Sequence, residues 1–256
     1  MPEPGAAQDV TEDTLAGGRI RLRQPRRGHR AGTDAVLLAA SVAPLDGEAV
    51  YDLGAGAGAV GLMIASRARA EVALVEREPW LAALCRENAA LNGLEARVRV
   101  VEADLLAGAA ERRGRGLLPQ SADVVATNPP FLEAGRARRS PTRLRASAHE
   151  LPEGGLERWI AAAADLLKAG GRLALIHRAD ALGACLRHLA PGAFGGVAVR
   201  PVQPRSDEPA IRILVSATKG SRAPLRLLPA LVLHDATGAF TPEAEAVHRG
   251  ERLLVP

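Results

Sequence analysis

The feature that most constrains the fold is a regular alternation of short β-type runs with helix-type segments. Between residues 49 and 177 the runs are rich in valine, leucine and alanine, and the segments that separate them carry helical patterns. This alternation is typical of an α/β fold with a parallel sheet. The predicted strands are Ala49–Leu53, Glu71–Glu76, Arg97–Glu102, Ala122–Thr127 and Gly171–His177, and the predicted helices are Gly58–Arg67, Pro79–Leu91 and Leu156–Lys168.

The C-terminal part of the chain departs from this alternation. Two later β-type runs, Val197–Gln203 and Ile211–Ala217, are separated only by the turn-rich segment PRSDEPA. Such a short connection suits an antiparallel hairpin, because two parallel strands need a crossover of about a dozen residues or more. The sequence therefore predicts a central, mostly parallel sheet of seven strands with a C-terminal antiparallel hairpin.

The segment before the alternating region gives fewer signals. Residues 1–18 are expected to be disordered and residues 19–256 to form a single domain, because no repeat or linker divides them. Arg19–Arg23 alternates arginine with apolar residues, which is the period of a half-exposed strand. Thr33 and Asp34 are expected to cap an apolar helix over residues 35–43.

Composition excludes several classes of protein. No apolar run approaches the ~20 residues of a membrane-spanning helix, and the acidic start of the chain is unlike a secretory signal. The two cysteines, Cys85 and Cys185, are too few for a disulfide framework or a zinc cluster. We therefore expect a cytoplasmic protein that binds neither a membrane nor a metal.

The basic residues are almost all arginines, and they are unevenly distributed. Only Lys168 and Lys219 among the 33 basic residues are lysines, and the net charge is +4. The stretches 19–30 and 136–145 contain six and five arginines respectively, without an acidic residue. Such clusters either form solvated surface or contact the phosphates of a nucleic acid. Aromatic residues make up only 2% of the chain, so stacking on bases has a limited part.

A glycine-rich turn indicates a nucleotide-like cofactor. The stretch YDLGAGAGAVG (51–61) reads as a strand, a turn with Gly54 and Gly56, and the start of a helix. Glycines let the backbone turn sharply and approach a ligand closely at a helix N-terminus. Glu76, 20 residues after Gly56, is placed for ribose hydroxyls in either an NAD site or an S-adenosylmethionine (SAM) site. Asp52 favours SAM, because its charge suits an α-ammonium group and would repel a pyrophosphate.

Four polar residues occur at or just after the ends of successive predicted strands. Asp52, Glu76, Asp104 and Asn128 are separated by 24, 28 and 24 residues, about one strand and helix each. Ligands of open α/β sheets bind outside the carboxyl ends of the strands. The spacing therefore predicts that all four line one edge of the sheet.

The fourth of these residues begins the tetrapeptide Asn128-Pro129-Pro130-Phe131. The two prolines fix φ and give a rigid turn. The side-chain oxygen of Asn128 and the carbonyl of Pro129 offer two acceptors for the two N–H groups of an exocyclic amine or an amide. Phe131 offers a ring that stacks on the same planar group, so the tetrapeptide favours a planar nitrogen as the substrate.

Together these motifs resemble the class I SAM-dependent methyltransferases that carry the N/D-P-P-Y/F signature. The similarity is greatest to the tRNA1(Val) adenine-N6-methyltransferase family of methyltransferase small domain proteins, and it covers roughly residues 19 to 249. It is carried by GTDAVLLAA (32–40), DLGAGAGAVG (52–61), RENAALNGL (86–94), TNPPF (127–131), KGSRAPLRLLPALVLH (219–234) and FTPEAEA (240–246). The resemblance implies a Rossmann-like fold, SAM as the cofactor, and methyl transfer to an exocyclic nitrogen of a base in RNA, with adenine N6 in tRNA favoured.

The resemblance also implies roles for individual residues. The cofactor-binding set is Asp52, Gly54 and Gly56 for the methionine part of SAM, Glu76 for the ribose, Asp104 for the adenine, Thr33 and Asp34 at the N-terminal side of the site, and Asn128. The set that holds the target base is Asn128, Pro129 and Phe131. The arginines expected to contact RNA follow the tetrapeptide directly and are Arg136, Arg138, Arg139 and Arg143.

Several other functions remain open at this point. Within the same chemistry they are methylation of guanine N2 in rRNA, of adenine in DNA, or of a glutamine amide in a protein. A catalytically idle RNA-binding module is a second class, although the intact set of acids and the NPPF tetrapeptide argue against it. A dinucleotide-dependent oxidoreductase is a third class, and it leaves NPPF without a role. The sequence predicts no particular oligomeric state.

Overall fold

The alternating runs form one large sheet in a computed structural model that describes residues 9–28, 30–130, 132–133, 150–151, 154–189 and 193–256. Its strands are β1 (Val10–Leu15), β2 (Ile20–Pro25), β3 (Ala49–Leu53), β4 (Glu71–Glu76), β5 (Val98–Glu102), β6 (Ala122–Thr127), β7 (Leu132–Glu133), β8 (Glu150–Leu151), β9 (Leu167–Arg178), β10 (Phe194–Gln203), β11 (Arg212–Lys219), β12 (Arg226–Leu227) and β13 (Leu231–Val232). Its α-helices are α1 (Thr33–Ala40), α2 (Ala59–Arg67), α3 (Pro79–Leu91), α4 (Ala109–Gly114), α5 (Gly155–Leu166), α6 (Leu182–Leu189) and α7 (Pro242–His248), and a 3₁₀ turn spans Ala179–Ala181.

The sheet has the predicted topology. Its strand order is β5-β4-β3-β6-β9-β11-β10, with the two-residue strands β12 and β13 both paired with β10. Strands β3 to β6 and β9 run parallel, and β11 is antiparallel to both β9 and β10. The mostly parallel seven-stranded sheet with a C-terminal antiparallel hairpin is therefore confirmed. The short strands β12 and β13 extend it at one edge.

Helices cover both faces of the sheet and bury two apolar layers. One layer contains α1, α2, part of α3, α7 and the apolar residues of β2. The other layer contains α5 and α6. Gly61 shows why α2 lies so close to the sheet: a Cβ at this position would collide with the side chain of Leu74 on β4. Pro79 at the first turn of α3 starts that helix, as the sequence predicts.

The expectation of disorder over residues 1–18 is wrong for Val10–Leu15. This segment forms β1, which pairs antiparallel with β2, and the two strands make a separate hairpin sheet. Its sequence, VTEDTL, is mostly polar, so it gives no hydrophobic pattern that predicts a strand. Glu12 of β1 forms ion pairs with Arg21 and Arg23 of β2, and Asp13 forms one with Arg30 beyond the end of β2. The strand itself is held by antiparallel backbone pairing with β2 along its whole length. Residues 1–8 lie outside the described residues, and the single domain over 19–256 stays a prediction.

The predicted cap of the first helix is also wrong. Gly32 is the N-cap of α1, and no side chain accepts a hydrogen bond there. Thr33 and Asp34 are instead the first two residues of the helix, and their side chains contact other elements, as described below. Among the described residues, no helix combines the length and the apolar character that a membrane crossing requires.

Candidate active site

The glycine-rich turn between β3 and α2 has the backbone that glycine makes possible. Gly54, Gly56 and Gly58 have φ values of 74°, 57° and 91°, in the left-handed region that disfavours other residues. The backbone N–H of Gly54 donates to the carbonyl of Val75 at 2.9 Å, which ties the turn to the end of β4. A Cβ on Gly54 would lie 3.0 Å from the ring of Trp159. The turn therefore combines an unusual backbone with a tightly packed underside.

Asp52 is the last but one residue of β3, and its carboxylate is almost completely buried. Its Oδ2 accepts a hydrogen bond from the backbone N–H of Gly61 at 2.9 Å, so it joins β3 to the first turn of α2. Burial, together with the nearby charge of Glu76, raises the pKa of Asp52 to about 7, although the hydrogen bond from Gly61 acts in the opposite direction. The sequence predicts that Asp52 holds a cationic group of SAM, and this stays a prediction. The partner seen here is the protein backbone.

Glu76 ends β4 and bonds directly to the glycine turn. Its Oε2 accepts from Gly56 N at 2.8 Å, and its Oε1 accepts from Arg77 N and Glu78 N at 2.8 and 3.0 Å. Burial raises the pKa of the Glu76 carboxyl, against the effect of these three backbone donors. Glu76, 20 residues after Gly56 in the sequence, is therefore in direct contact with Gly56 in the structure.

Asp104 follows β5 and begins a loop that two arginines fix. Its Oδ1 accepts from Leu106 N at 2.8 Å, and the side chain is exposed at the sheet edge. Arg112 donates to the carbonyl of Ala107 at 2.7 Å, and Arg158 donates to the carbonyl of Leu106. Nothing in the sequence pattern points to either arginine, because their partners are backbone carbonyls.

Asn128 follows β6 and carries the most informative atom of the site. Its side-chain oxygen Oδ1 is buried and has no hydrogen-bond partner among the described residues. Buried polar atoms are rarely left unpaired, and such an atom calls for an explanation. The preceding residue is fully paired: Thr127 Oγ1 donates to Leu53 O at 2.9 Å and accepts from Trp159 Nε1 at 2.8 Å. The unpaired acceptor therefore lies directly after a well-bonded position.

The pairing of the strands brings the four predicted strand-end residues to one edge. Thr127 is in register with Leu53, and Glu76 with Glu102, so the carboxyl ends of β3 to β6 coincide. Pro129 is buried next to Asn128. Phe131 and the arginines predicted to contact RNA, namely Arg136, Arg138, Arg139 and Arg143, lie outside the described residues.

Thr33 and Asp34 are held at the start of α1 by two other elements. Asp34 accepts from Arg212 Nε through both carboxylate oxygens, at 3.1 and 2.9 Å. Thr33 Oγ1 lies 3.3 Å from His248 Nε2 of α7. Arg212 starts β11 and is in register with Arg178 at the carboxyl end of β9. The first turn of α1 therefore lies at the edge of the sheet where the parallel strands end.

The N-terminal arginine cluster is not an unbalanced basic patch. Arg21 and Arg23 form ion pairs with Glu12, and similar pairs join Arg26 to Asp9 and Arg30 to Asp13. The stretch 19–30 contains no acidic residue, but β1 and Asp9, the residue before it, supply the acidic partners in the folded chain. Phosphate contact by this cluster therefore has less support than the sequence suggests.

No group of three or more histidine, cysteine, aspartate or glutamate side chains is placed to hold a metal ion in the described part of the chain. The geometry instead provides a glycine turn, three carboxylates and a buried unpaired amide oxygen at one edge of the sheet. A small organic cofactor with a ribose suits the turn, and a group that donates an N–H suits the amide oxygen.

Comparison with known proteins relates the chain to methyltransferases. The family model "Methyltransferase small domain" matches residues 31–184. The chain is 30% identical over 240 residues to the tRNA1(Val) (adenine(37)-N6)-methyltransferase of Porphyromonas gingivalis, covering 90% of this chain and 91% of that protein. It is 28% identical to the protein of the same name from Aeromonas salmonicida, over 87% of this chain and 90% of that one. A crystal structure from Agrobacterium tumefaciens, described as a predicted O-methyltransferase, matches with a TM-score of 0.74 and 34% identity, over 87% of this chain and 99% of that one.

Proposed function

Because the chain belongs to the methyltransferase small domain family and is a SAM-dependent methyltransferase, we propose that it methylates N6 of an adenine in tRNA. The observation that carries this proposal is the buried, unpaired oxygen of Asn128. An exocyclic amine supplies the N–H donor that this oxygen lacks. The name shared by the relatives from Porphyromonas and Aeromonas specifies adenine 37 of tRNA1(Val), which makes that adenine the first candidate.

The glycine turn fits SAM by its shape. Gly56 has no atom within 4 Å of the place where a Cβ would lie, so the space above the turn is open. We assign the methionine part of SAM to the turn at Gly54 and Gly56. Glu76 is proposed to accept a ribose hydroxyl at Oε2, because its three backbone donors leave one lone pair free on that oxygen. Asp104, exposed at the end of β5, is proposed to accept the adenine amino group.

Bound SAM supplies a methyl group on a positively charged sulfur. Asn128 is not a base, and its contribution is to orient the amine: Oδ1 accepts one N–H and leaves the nitrogen lone pair free. The Pro129 carbonyl is proposed to accept the second N–H, and Phe131 to stack on the base. Holding the reacting nitrogen in this way lowers the barrier through orientation, which is worth up to about 7–11 kcal/mol in well-placed reactants.

An amide oxygen also separates the candidate reactions. A hydroxyl substrate needs a base to take its proton, whereas an amine needs an acceptor that fixes its N–H groups. The acceptor at Asn128 therefore favours N-methylation over the O-methylation named for the Agrobacterium structure. Guanine N2 and a glutamine amide offer the same two N–H groups. The relatives' names favour adenine, and Arg136, Arg138, Arg139 and Arg143 are proposed to hold the tRNA phosphates beside it.

The proposal is tested with methyl-labelled SAM and separate pools of tRNA, rRNA, DNA and protein. We expect label in the tRNA pool, and in a tRNA1(Val) transcript but not in the same transcript with guanine at position 37. Nucleoside digestion should give N6-methyladenosine. Label that appears only in the rRNA or protein pool would contradict the adenine assignment, and an absence of transfer to all four pools would favour an idle binding module.

A further inference from the structure

The N-terminal hairpin contacts the glycine turn through one buried side chain. Asn88 of α3 is completely buried, and its amide group makes three hydrogen bonds to two other segments. Its Nδ2 donates to Ala57 O, within the glycine turn, at 2.9 Å. The same nitrogen donates to Arg23 O of β2 at 2.8 Å, and Oδ1 accepts from Arg23 N at 2.8 Å. Asn88 therefore bridges the edge of the hairpin and the turn.

A second asparagine, one helical turn later, makes the same pair of hydrogen bonds to β2. Asn92 accepts from Arg21 N at 2.9 Å and donates to Arg21 O at 2.7 Å, which repeats the contact of Asn88 two residues earlier along β2. The third bond of Asn92, at 2.7 Å, goes to the backbone carbonyl of Asn88 and not to the glycine turn. Both side chains therefore bind β2 of the hairpin, but of the two only Asn88 also bonds to the glycine turn.

A further hydrogen bond from α3 to the turn comes from the same face of the helix. The thiol of Cys85, three residues before Asn88, donates to Gly56 O at 3.1 Å. The carbonyls of Gly56 and Ala57 are therefore both bonded to α3, while Gly56 N is bonded to Glu76. Of these contacts, only the one made by Asn88 continues to another part of the chain, namely β2.

We propose that Asn88 is a positioning residue that makes the N-terminal hairpin part of the cofactor site. The inference rests on the proposed binding of SAM at the glycine turn. Asn88 holds the carbonyl of Ala57 only in the orientation that its bonds to β2 allow. If SAM and the docked hairpin favour the same arrangement of the turn, each must strengthen the other by the same factor, because coupling between two sites is reciprocal.

The test compares Asn88→Ala with the matched control Asn92→Ala. Both variants remove a pair of bonds to β2, but only Asn88→Ala releases the glycine turn. We expect Asn88→Ala to weaken SAM binding at least ten-fold in calorimetry, and Asn92→Ala to weaken it less than three-fold. Equal SAM affinities in the two variants would overturn the proposal.

A second measurement needs no loss of a buried side chain. Exchange of single backbone amides by NMR should show that SAM slows exchange of the Arg23 amide in the wild type and in Asn92→Ala. In Asn88→Ala, SAM should leave this exchange unchanged. If Asn88→Ala does not fold, the other two proteins decide, and an Arg23 amide that does not respond to SAM in either of them overturns the proposal.

A substitution in the turn separates this inference from the proposed function. Gly56→Val places a side chain in the open space above the turn at a positive φ, and it should abolish SAM binding. Tight SAM binding by Gly56→Val would refute the placement of SAM at the turn, and with it both proposals. Loss of binding in Gly56→Val together with equal affinities of the two asparagine variants would refute only the role of Asn88.

Discussion

Replacing Asn128 should lower activity steeply while leaving stability almost unchanged. The side-chain oxygen is buried without a partner, so the folded protein bears the cost of an unmade hydrogen bond, which is about 1–3 kcal/mol. Asn128→Ala removes this cost but also removes the packing of the side chain. The two changes offset each other, and we expect the free energy of unfolding to stay within about 1 kcal/mol of the wild type.

Methyl transfer should nevertheless fall steeply in the same variant. If Asn128 orients the reacting amine, its loss should lower kcat by about 10²–10³, by analogy with the loss of one preorganised polar group in other active sites. At about 1.4 kcal/mol per factor of ten, this corresponds to about 3–4 kcal/mol of lost transition-state stabilisation. The affinity for SAM should change little. The assays are urea unfolding and initial rates of label transfer at saturating SAM and tRNA.

Thr127→Val is the matched control, because it changes the adjacent residue, whose oxygen is fully bonded. It leaves Trp159 Nε1 and Leu53 O without their partner, each at about 1–3 kcal/mol, so it should destabilise the protein by at least about 2 kcal/mol. An Asn128→Ala protein that is as destabilised as Thr127→Val would show that the Asn128 oxygen has a partner. Near wild-type turnover in Asn128→Ala would show that the NPPF tetrapeptide has no part in the mechanism.

Three further changes test other parts of the site. Burial raises the pKa of Asp52 from 3.8 to about 7, so between these pH values the folded state binds more protons than the unfolded state and stability falls as the pH rises. The free energy of unfolding of Asp52→Asn, measured in urea, should therefore increase relative to that of the wild type by up to about 4 kcal/mol from pH 4 to 7. Parallel curves of stability against pH for the two proteins would contradict this. Arg112→Met should weaken SAM and methylthioadenosine, which lacks the amino-acid part, by a similar factor in calorimetry, because it frees the loop after Asp104; an effect on SAM alone would refute this role. The logarithm of tRNA affinity should fall with the logarithm of salt concentration with a slope of about −2 if about three arginines contact phosphates, and this slope should flatten without a change in SAM affinity when alanine replaces Arg138, Arg139 and Arg143.

Much of the fold could be predicted because apolar strands and glycine stops are local signals. The predicted bounds of β3, β4, β6 and α3 agree with those of the structure. The strand β1 was missed because its polar sequence gives no apolar period, while its backbone pairing with β2 and its ion pairs are visible only in the structure. Helix α7 was also missed, although Thr241 followed by Pro242 is a helix-start signal and Thr241 does accept a hydrogen bond from Ala244 N.

The site was predictable in position but not in contacts. Spacing places Asp52, Glu76, Asp104 and Asn128 at one edge, because strand ends of a parallel sheet align. Spacing cannot show which atoms a carboxylate bonds, since this depends on the direction of the side chain. Asp52 and Glu76 were expected to face a ligand, and both bond the backbone of the turn or of its helix. Trp159 gave no signal, because its partner Thr127 and its neighbour Gly54 are distant from it in the sequence.

The contacts of the glycine turn have a consequence for affinity. Side chains from four elements, namely β3, β4, α3 and α5, bond to or pack against the backbone of the turn and the start of α2. These side chains are Asp52, Glu76, Cys85, Asn88 and Trp159. A turn held in this way is ordered during folding, so SAM does not have to order it when it binds. Glycine provides the conformation and the space, and these side chains hold the chain in it. Affinity for SAM should therefore also depend on Cys85, Asn88 and Trp159, to which no contact with SAM is assigned, and a substitution at Cys85 or Trp159 should reduce stability and SAM affinity together.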